Sequence, residues 1–310
     1  MAFSASESAF EGFRIVRREP GTVAVWAAVL LVVAVGASAL LLPILSQVGA
    51  SVTPGTAPSV ARSPVSMAAL GHLLQLYLLL LPVYLVVIAA FTAAVYRAVL
   101  RPEEKGFARL RFGGDELRLI GLFLLKALLF LGGGMIVGLV GTLLAGGMAV
   151  AARSSGMAVV AIAMILLYLV MIVAVLWFAV RFSLAAPMTF TRKRISLFSA
   201  WPLTKGRFWP LFGCYFLAWV LTMLVLLVDL VVSSVFVLGA AGGSLSRVAS
   251  AMFRPDAASA MSLLSPLFII RMVVGAVFGV VMWTVGLAAP AAAYQAIAAP
   301  RPEDQAETFA

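Results

Sequence analysis

The sequence has almost none of the residues from which reaction centres are built. Its 310 residues include one cysteine, Cys214, and one histidine, His72. That excludes an intramolecular disulfide framework and any all-histidine or multi-cysteine metal site within one chain. No G-x-S-x-G, H-E-x-x-H, P-loop or C-x-x-C motif occurs, and the scattered Ser and Thr suggest no triad. Charge is scarce too, at 11% of residues against about 25% in a water-soluble domain. Too little polar surface remains to cover a globule, which excludes a cytosolic or secreted enzyme. Cys214, early in an apolar run with no base beside it, reads as an inert buried thiol. No cofactor or metal is expected.

What the chain has is apolar length: 64% hydrophobic residues and a mean hydropathy of +1.12. A hydrocarbon core of about 30 Å needs about 20 apolar helical residues. Six stretches qualify, at 22–47, 67–97, 117–149, 156–184, 209–238 and 266–296. The expected fold is all-α, a polytopic protein with six transmembrane helices in one integral domain over 1–310. The first stretch is too long for a signal-peptide core and lacks a small-residue cleavage site, so it reads as a retained helix. Segment 48–66, rich in Ser, Pro, Ala and Thr, reads as a flexible loop, and 239–265 as a short surface helix.

The 22 Lys and Arg outnumber the 12 Asp and Glu, for a net charge of +10. In a soluble protein this excess would suggest nucleic acid. Here the cations lie beside apolar runs, where they report topology, and no nucleic-acid partner is expected. Sixteen fall in the N-terminal segment, the connections after spans two and four, and the tail. Five (Arg62, Arg153, Arg247, Arg254 and Arg271) fall on the other side, and Lys126 lies within a span. Cations stay on the cytoplasmic side, so both termini are expected there.

The chain also resembles itself. AFEGFRIVRREPGTV precedes span one, GFARLRFGGDELRLI span three and LFSAWPLTKGRFWPL span five. Aligned without gaps, Phe10, Phe107 and Phe198 coincide, and so do Phe13, Leu110 and Trp201 three residues on. That spacing puts each apolar pair on one helical face, with Arg14, Arg17, Arg109, Arg111, Lys205 and Arg207 nearby. Each segment reads as a short amphipathic helix in the cytoplasmic headgroup layer, its apolar pair as anchors and its cations as contacts to anionic headgroups. The even spans also end alike, with IAAF at Ile88 to Phe91 and LAAP at Leu184 to Pro187 and at Leu287 to Pro290. Three parallel repeats follow, at 8–100, 101–190 and 191–300 with a polar tail 301–310, and a pseudo-threefold axis along the membrane normal.

The phrase SLAAPMTFTRKRISLFSAWPLTKGRFWPLFG, with six spans and basic connections, resembles bacterial inner-membrane proteins grouped with the glycerophosphodiester phosphodiesterase membrane domain and the YciC-like membrane family. The resemblance is strongest from Arg181 to Gly213. It implies a membrane domain of a bacterial inner membrane that touches lipid metabolism or serves an associated soluble protein partner. The acidic metal site and paired histidines of the family's soluble phosphodiesterase are missing, so catalysis does not carry over.

Ionisable groups inside the bilayer are costly, and each raises a question of partner or pathway. Lys126, about 13 Å into span three by helical rise, can extend its stem toward headgroups. Asp229, about 30 Å along span five, lies near the far boundary, where Arg271 or His72 is the better-placed partner. Asp229, Arg271, His72 and Gln75 then form either a polar cluster able to bind a headgroup or relay a proton, or an ion pair that fixes packing. Gly134 with Gly138 and Gly275 with Gly279 are small-xxx-small pairs expected to pack tightly within the chain. Pro82, Pro187 and Pro290 are expected to kink the even spans. The leading functional reading is a non-catalytic scaffold, assembly or lipid-interacting domain. The alternative is a transporter subunit moving a lipid or amphipathic solute through a crevice between repeats. An intramembrane enzyme would need reactive side chains converging at one depth, and none can be assembled.

Overall fold

Hydrocarbon offers backbone N–H and C=O groups no partners, so apolar runs of this length satisfy them internally as helix. The computed structural model describes residues 4–50, 67–104, 106–155, 157–240 and 266–298. Among these every regular element is helical. In chain order they are α1 (Ala5–Arg18), α2 (Pro20–Ala50), α3 (Met67–Leu100), a 3-10 turn at Phe107–Arg109, α4 (Gly114–Ser155), α5 (Met157–Arg181), α6 (Ala185–Arg192), α7 (Ala200–Thr204), α8 (Phe208–Ala240) and α9 (Pro266–Ala298). Six segments, in α2, α3, α4, α5 with α6, α8 and α9, are long and apolar enough to cross a membrane, which makes this a multi-pass membrane protein. Of the loop expected at 48–66, residues 48–50 belong to α2, and of the surface helix expected at 239–265, residues 239–240 belong to α8; the rest of both, and the tail 301–310, lie outside the described residues.

The sequence explains where helices begin. Pro20 and Pro266 open α2 and α9, where a missing N–H costs nothing. At α4 the Gly113 N–H donates to Glu116 Oε2 at 2.9 Å, the reciprocal half of a capping box. Span four differs from expectation, because it breaks after Arg181 and restarts as α6. The Ala185 N–H donates to the Phe182 carbonyl at 3.2 Å and the Met188 N–H to Leu184 at 3.1 Å. Pro187 therefore stands in the first turn of a new helix and kinks nothing. Pro82 and Pro290 do lie inside α3 and α9.

The three segments expected as like amphipathic helices have different conformations. The first is the 14-residue α1, which buries Ser8, Gly12 and Ile15 and exposes Arg14, Arg17 and Arg18. The second is a single 3-10 turn with Ala108 at φ 46° and Arg109 at φ 56°, left-handed values through which no right-handed helix continues. The third holds the five-residue α7.

The chain divides into two compact units. The Trp26 unit comprises Ala9–Arg111 and Phe216–Ala289. Its buried core includes Trp26, Phe91, Ala93, Val95 and Tyr96, with Trp26 and Phe91 edge-on at 6.0 Å and Phe91 and Trp283 at 5.8 Å. A Cβ on Gly12 would meet the Val285 Cα, with the Val285 N at 2.8 Å and the Thr284 O at 3.0 Å, so α1 and α9 touch backbone to backbone there. The Trp201 unit comprises Met1–Ser8, Phe112–Tyr215 and Pro290–Ala310. Leu119 and Leu122 of α4 are buried there with Leu184, Met188, Phe190 and Leu211. The Ser196 N–H closes the turn after α6 onto Thr189 Oγ1 at 3.1 Å, and the Thr191 and Tyr294 hydroxyls meet at 3.0 Å.

The tight packing expected at two glycine pairs is absent. Apart from the helix's own nearby backbone, no atom among the described residues lies within 4 Å of a Cβ built on Gly134, Gly138, Gly275 or Gly279. Along α4 every residue from 127 to 136 is exposed, a run that takes in every side of the helix and suits contact with lipid tails.

Candidate functional site

Each unit holds an arginine beside the end of an apolar helix, and the two are handled differently. In the Trp26 unit the arginine is Arg109, only 4% exposed. Its left-handed backbone turns the side chain onto Glu19, with Nη2 at 2.6 Å from Oε1 and Nε at 3.0 Å from Oε2, a bidentate pair. The remaining N–H groups reach backbone carbonyls in the last turn of α3 and just beyond it. Nη1 donates to Arg97 at 3.4 Å, Arg101 at 3.4 Å and Glu104 at 3.3 Å, and Nη2 to Pro102 at 3.2 Å. Arg97 Nη1 donates back to the Arg109 carbonyl at 2.8 Å, and Trp26 Nε1 to the Ala108 carbonyl at 2.7 Å. Arg109, expected to meet headgroups, is therefore an internal brace. Beside it Arg18, Glu19, Pro20, Gly21, Thr22 and Gly106 line an open cleft of about 540 Å³ whose buried cation Glu19 already neutralises.

In the Trp201 unit the arginine is Arg181. Its Cζ sits 5.2 Å from the Trp177 ring centroid and 5.5 Å from that of Trp201, two indoles set 81° apart. Phe178 and Phe182 extend the ring cluster, each about 6 Å from Trp201, and Phe198 lies 6.0 Å from Phe182. Nη1 reaches Thr204 Oγ1 at 3.5 Å, while Nε is buried with no hydrogen-bond partner. No carboxylate is paired with it among the described residues.

The membrane-embedded cluster is smaller than expected. Arg271 Nη1 lies 4.0 Å from Asp229 Oδ2, a charge contact too long for a hydrogen bond, and Nη1 is buried without a hydrogen-bond partner. The Ser233 hydroxyl donates to Asp229 Oδ1 at 3.2 Å. Gln75 is exposed on α3 with no bond to either among the described residues, and the His72 side chain lies outside them. Lys126 is half-buried on α4 with no ion-pair or hydrogen-bond partner among the described residues.

The other expected contacts are distributed as follows. Arg14 is exposed and pairs with Glu11 at 3.0 Å, and Arg17, Arg111 and Lys205 are exposed, with Arg207 half-buried. Of the expected anchors, Phe107 is 80%, Phe198 66% and Phe10 43% exposed, whereas Phe13, Leu110 and Trp201 are half-buried. Sequence reasoning missed Glu19, Trp26 and Ser233, and it counted Arg181 only toward topology. The signals were present: Ser233 follows Asp229 by four positions and Arg181 follows Trp177 by four, spacings that share a helix face. No protein-family model, curated protein or solved structure matches the chain.

Proposed function

We propose that this chain is a non-catalytic integral protein of a bacterial inner membrane, with both termini cytoplasmic, that gathers anionic lipid headgroups against its basic aromatic segments. One observation carries the reading. The four most exposed aromatic side chains among the described residues are Phe107, Trp209, Phe112 and Phe198. All four lie in the segments leading into α4 and α8 or in the first turn of α8, within four residues of Arg111, Arg194 or Arg207. In water such rings would be costly, but at a membrane interface they insert while neighbouring cations meet phosphates. Each basic residue near an anionic surface contributes about 1 kcal/mol. Three parallel repeats would bring the segments around Phe10, Phe107 and Phe198 to the same leaflet. The resemblance of Arg181 to Gly213 to membrane domains that can accompany a soluble phosphodiesterase, whose acidic metal site and paired histidines this chain lacks, supports a scaffold or assembly role. The test is reconstitution of the full chain in nanodiscs holding spin-labelled phosphatidylglycerol or phosphatidylcholine. Phosphatidylglycerol is expected at the protein surface in severalfold excess, and the Arg111→Gln, Arg194→Gln, Lys205→Gln triple variant is expected to lose most of that excess. Equal occupancy by both lipids on the unaltered chain would overturn the reading.

A further inference from the structure

The Trp201 unit carries a charge imbalance that its own side chains do not correct. From Leu117 to Val228 the sequence holds no aspartate or glutamate, yet Arg181, Arg192, Lys193, Arg194, Lys205 and Arg207 all fall in this stretch. The rings of Trp177 and Trp201 position the Arg181 guanidinium through their faces; Nε is buried, and the two Nη groups are left for other partners. Of these, Nη1 has a long contact to Thr204 Oγ1 at 3.5 Å, and Nη2 has no partner among the described residues and is not buried. Thr204 is followed at once by Lys205, Gly206 and Arg207, and Gly206 adopts φ +78°, a turn that a side chain would strain. An arginine held in one pose, unpartnered at Nη2, flanked in sequence by further cations and far in sequence from any carboxylate matches the charge of a phosphate.

Building on the headgroup reading above, we propose that Arg181 is the seat of one phosphate group, its Nη end donating to phosphate oxygens while Lys205 and Arg207 add charge. The shared chemistry is a phosphate oxyanion, supplied by a phospholipid headgroup or by free phosphate. The seat differs from general surface attraction in needing the planar guanidinium. An ammonium in its place keeps the charge but loses the fork and the ring contacts.

The experiment is native mass spectrometry of the full chain in neutral detergent, titrated with phosphatidylglycerol, with and without inorganic phosphate as competitor. One tightly retained phosphatidylglycerol per chain is expected. Arg181→Gln and Arg181→Lys should each weaken it about tenfold and Trp177→Phe about threefold, while Arg118→Gln, whose arginine pairs with Asp115, should leave it unchanged. Displacement by inorganic phosphate would assign the seat to the free ion, and resistance to it would assign the lipid headgroup. If Arg181→Gln does not yield folded protein, the other two variants carry the decision. Unchanged retention in Arg181→Lys and Trp177→Phe would overturn the seat while leaving the nanodisc preference for anionic lipid standing. Loss of that preference in the unaltered chain would remove the headgroup reading itself.

Discussion

At Arg109 and Gly12 the Trp26 unit closes its difficult groups internally, whereas at Arg181 and Gly134 the Trp201 unit leaves them open. Arg109 is neutralised by Glu19 and wrapped by four carbonyls, and at Gly12 two helix backbones meet with no room for a methyl group. In the other unit, among the described residues, Arg181 rests on two indoles without a carboxylate and nothing packs on Gly134 or Gly138. The residue types are the same, so the neighbours decide the outcome. Glu19 stands where the Arg109 side chain can reach it, while Arg181 lies in a stretch without acids that begins after Glu116 and ends at Asp229. A closed arginine braces the fold, and an open one is available to a ligand.

Removing the partner of the closed arginine should have the largest effect. Glu19→Ala strands a buried charge, which costs about 3–5 kcal/mol, so the variant should melt far below the unaltered chain in detergent or fail to accumulate. Arg181→Gln should lose less than half as much, and equal losses would erase the distinction between the units. Asp229 tests an intermediate case, because its arginine has a counter-charge but no hydrogen bond. Asp229→Ala should cost about 1–3 kcal/mol, with most of it recovered in the Asp229→Ala, Arg271→Met double variant; a purely additive double variant would show that the pair does not interact. Gly12→Ala should cost about 1–3 kcal/mol by pushing α1 off α9. The smallest effect belongs to Gly134→Ala, expected within about 0.5 kcal/mol of the unaltered chain by thermal melting. If the two glycines respond alike, the contrast in packing fails.

Much of the fold was legible, because membrane spans are written in bulk composition. All six helices appear where apolar runs of about 20 residues required them, and depth narrowed the partner of Asp229 to Arg271 or His72, of which Arg271 lies 4.0 Å from it. Pro187 misled, since a proline reads the same in a first turn as in a kinked interior. The turn at Phe107–Arg109 was hidden for a similar reason: apolar spacing of three suits a helix, and nothing in FARL announces two left-handed residues. The small-xxx-small pattern was genuine but was sought in the wrong place. Ser8 and Gly12 have the same spacing as Gly134 and Gly138, and α1 docks against another helix there while α4 does not. The brace was invisible because Glu19 and Arg109 lie 90 positions apart, and one sequence alone does not reveal such a pairing.

The central claim is that three basic aromatic segments share the headgroup layer of one leaflet. Its most direct test replaces Cys214 with Ala, places single cysteines at 10, 107 and 198 in turn, and measures the depth of a spin label at each in anionic nanodiscs. The account predicts three labels at the level of the phosphates, all quenched from the cytoplasmic side. A label deep in the hydrocarbon, or one reached only from the opposite face, would contradict it.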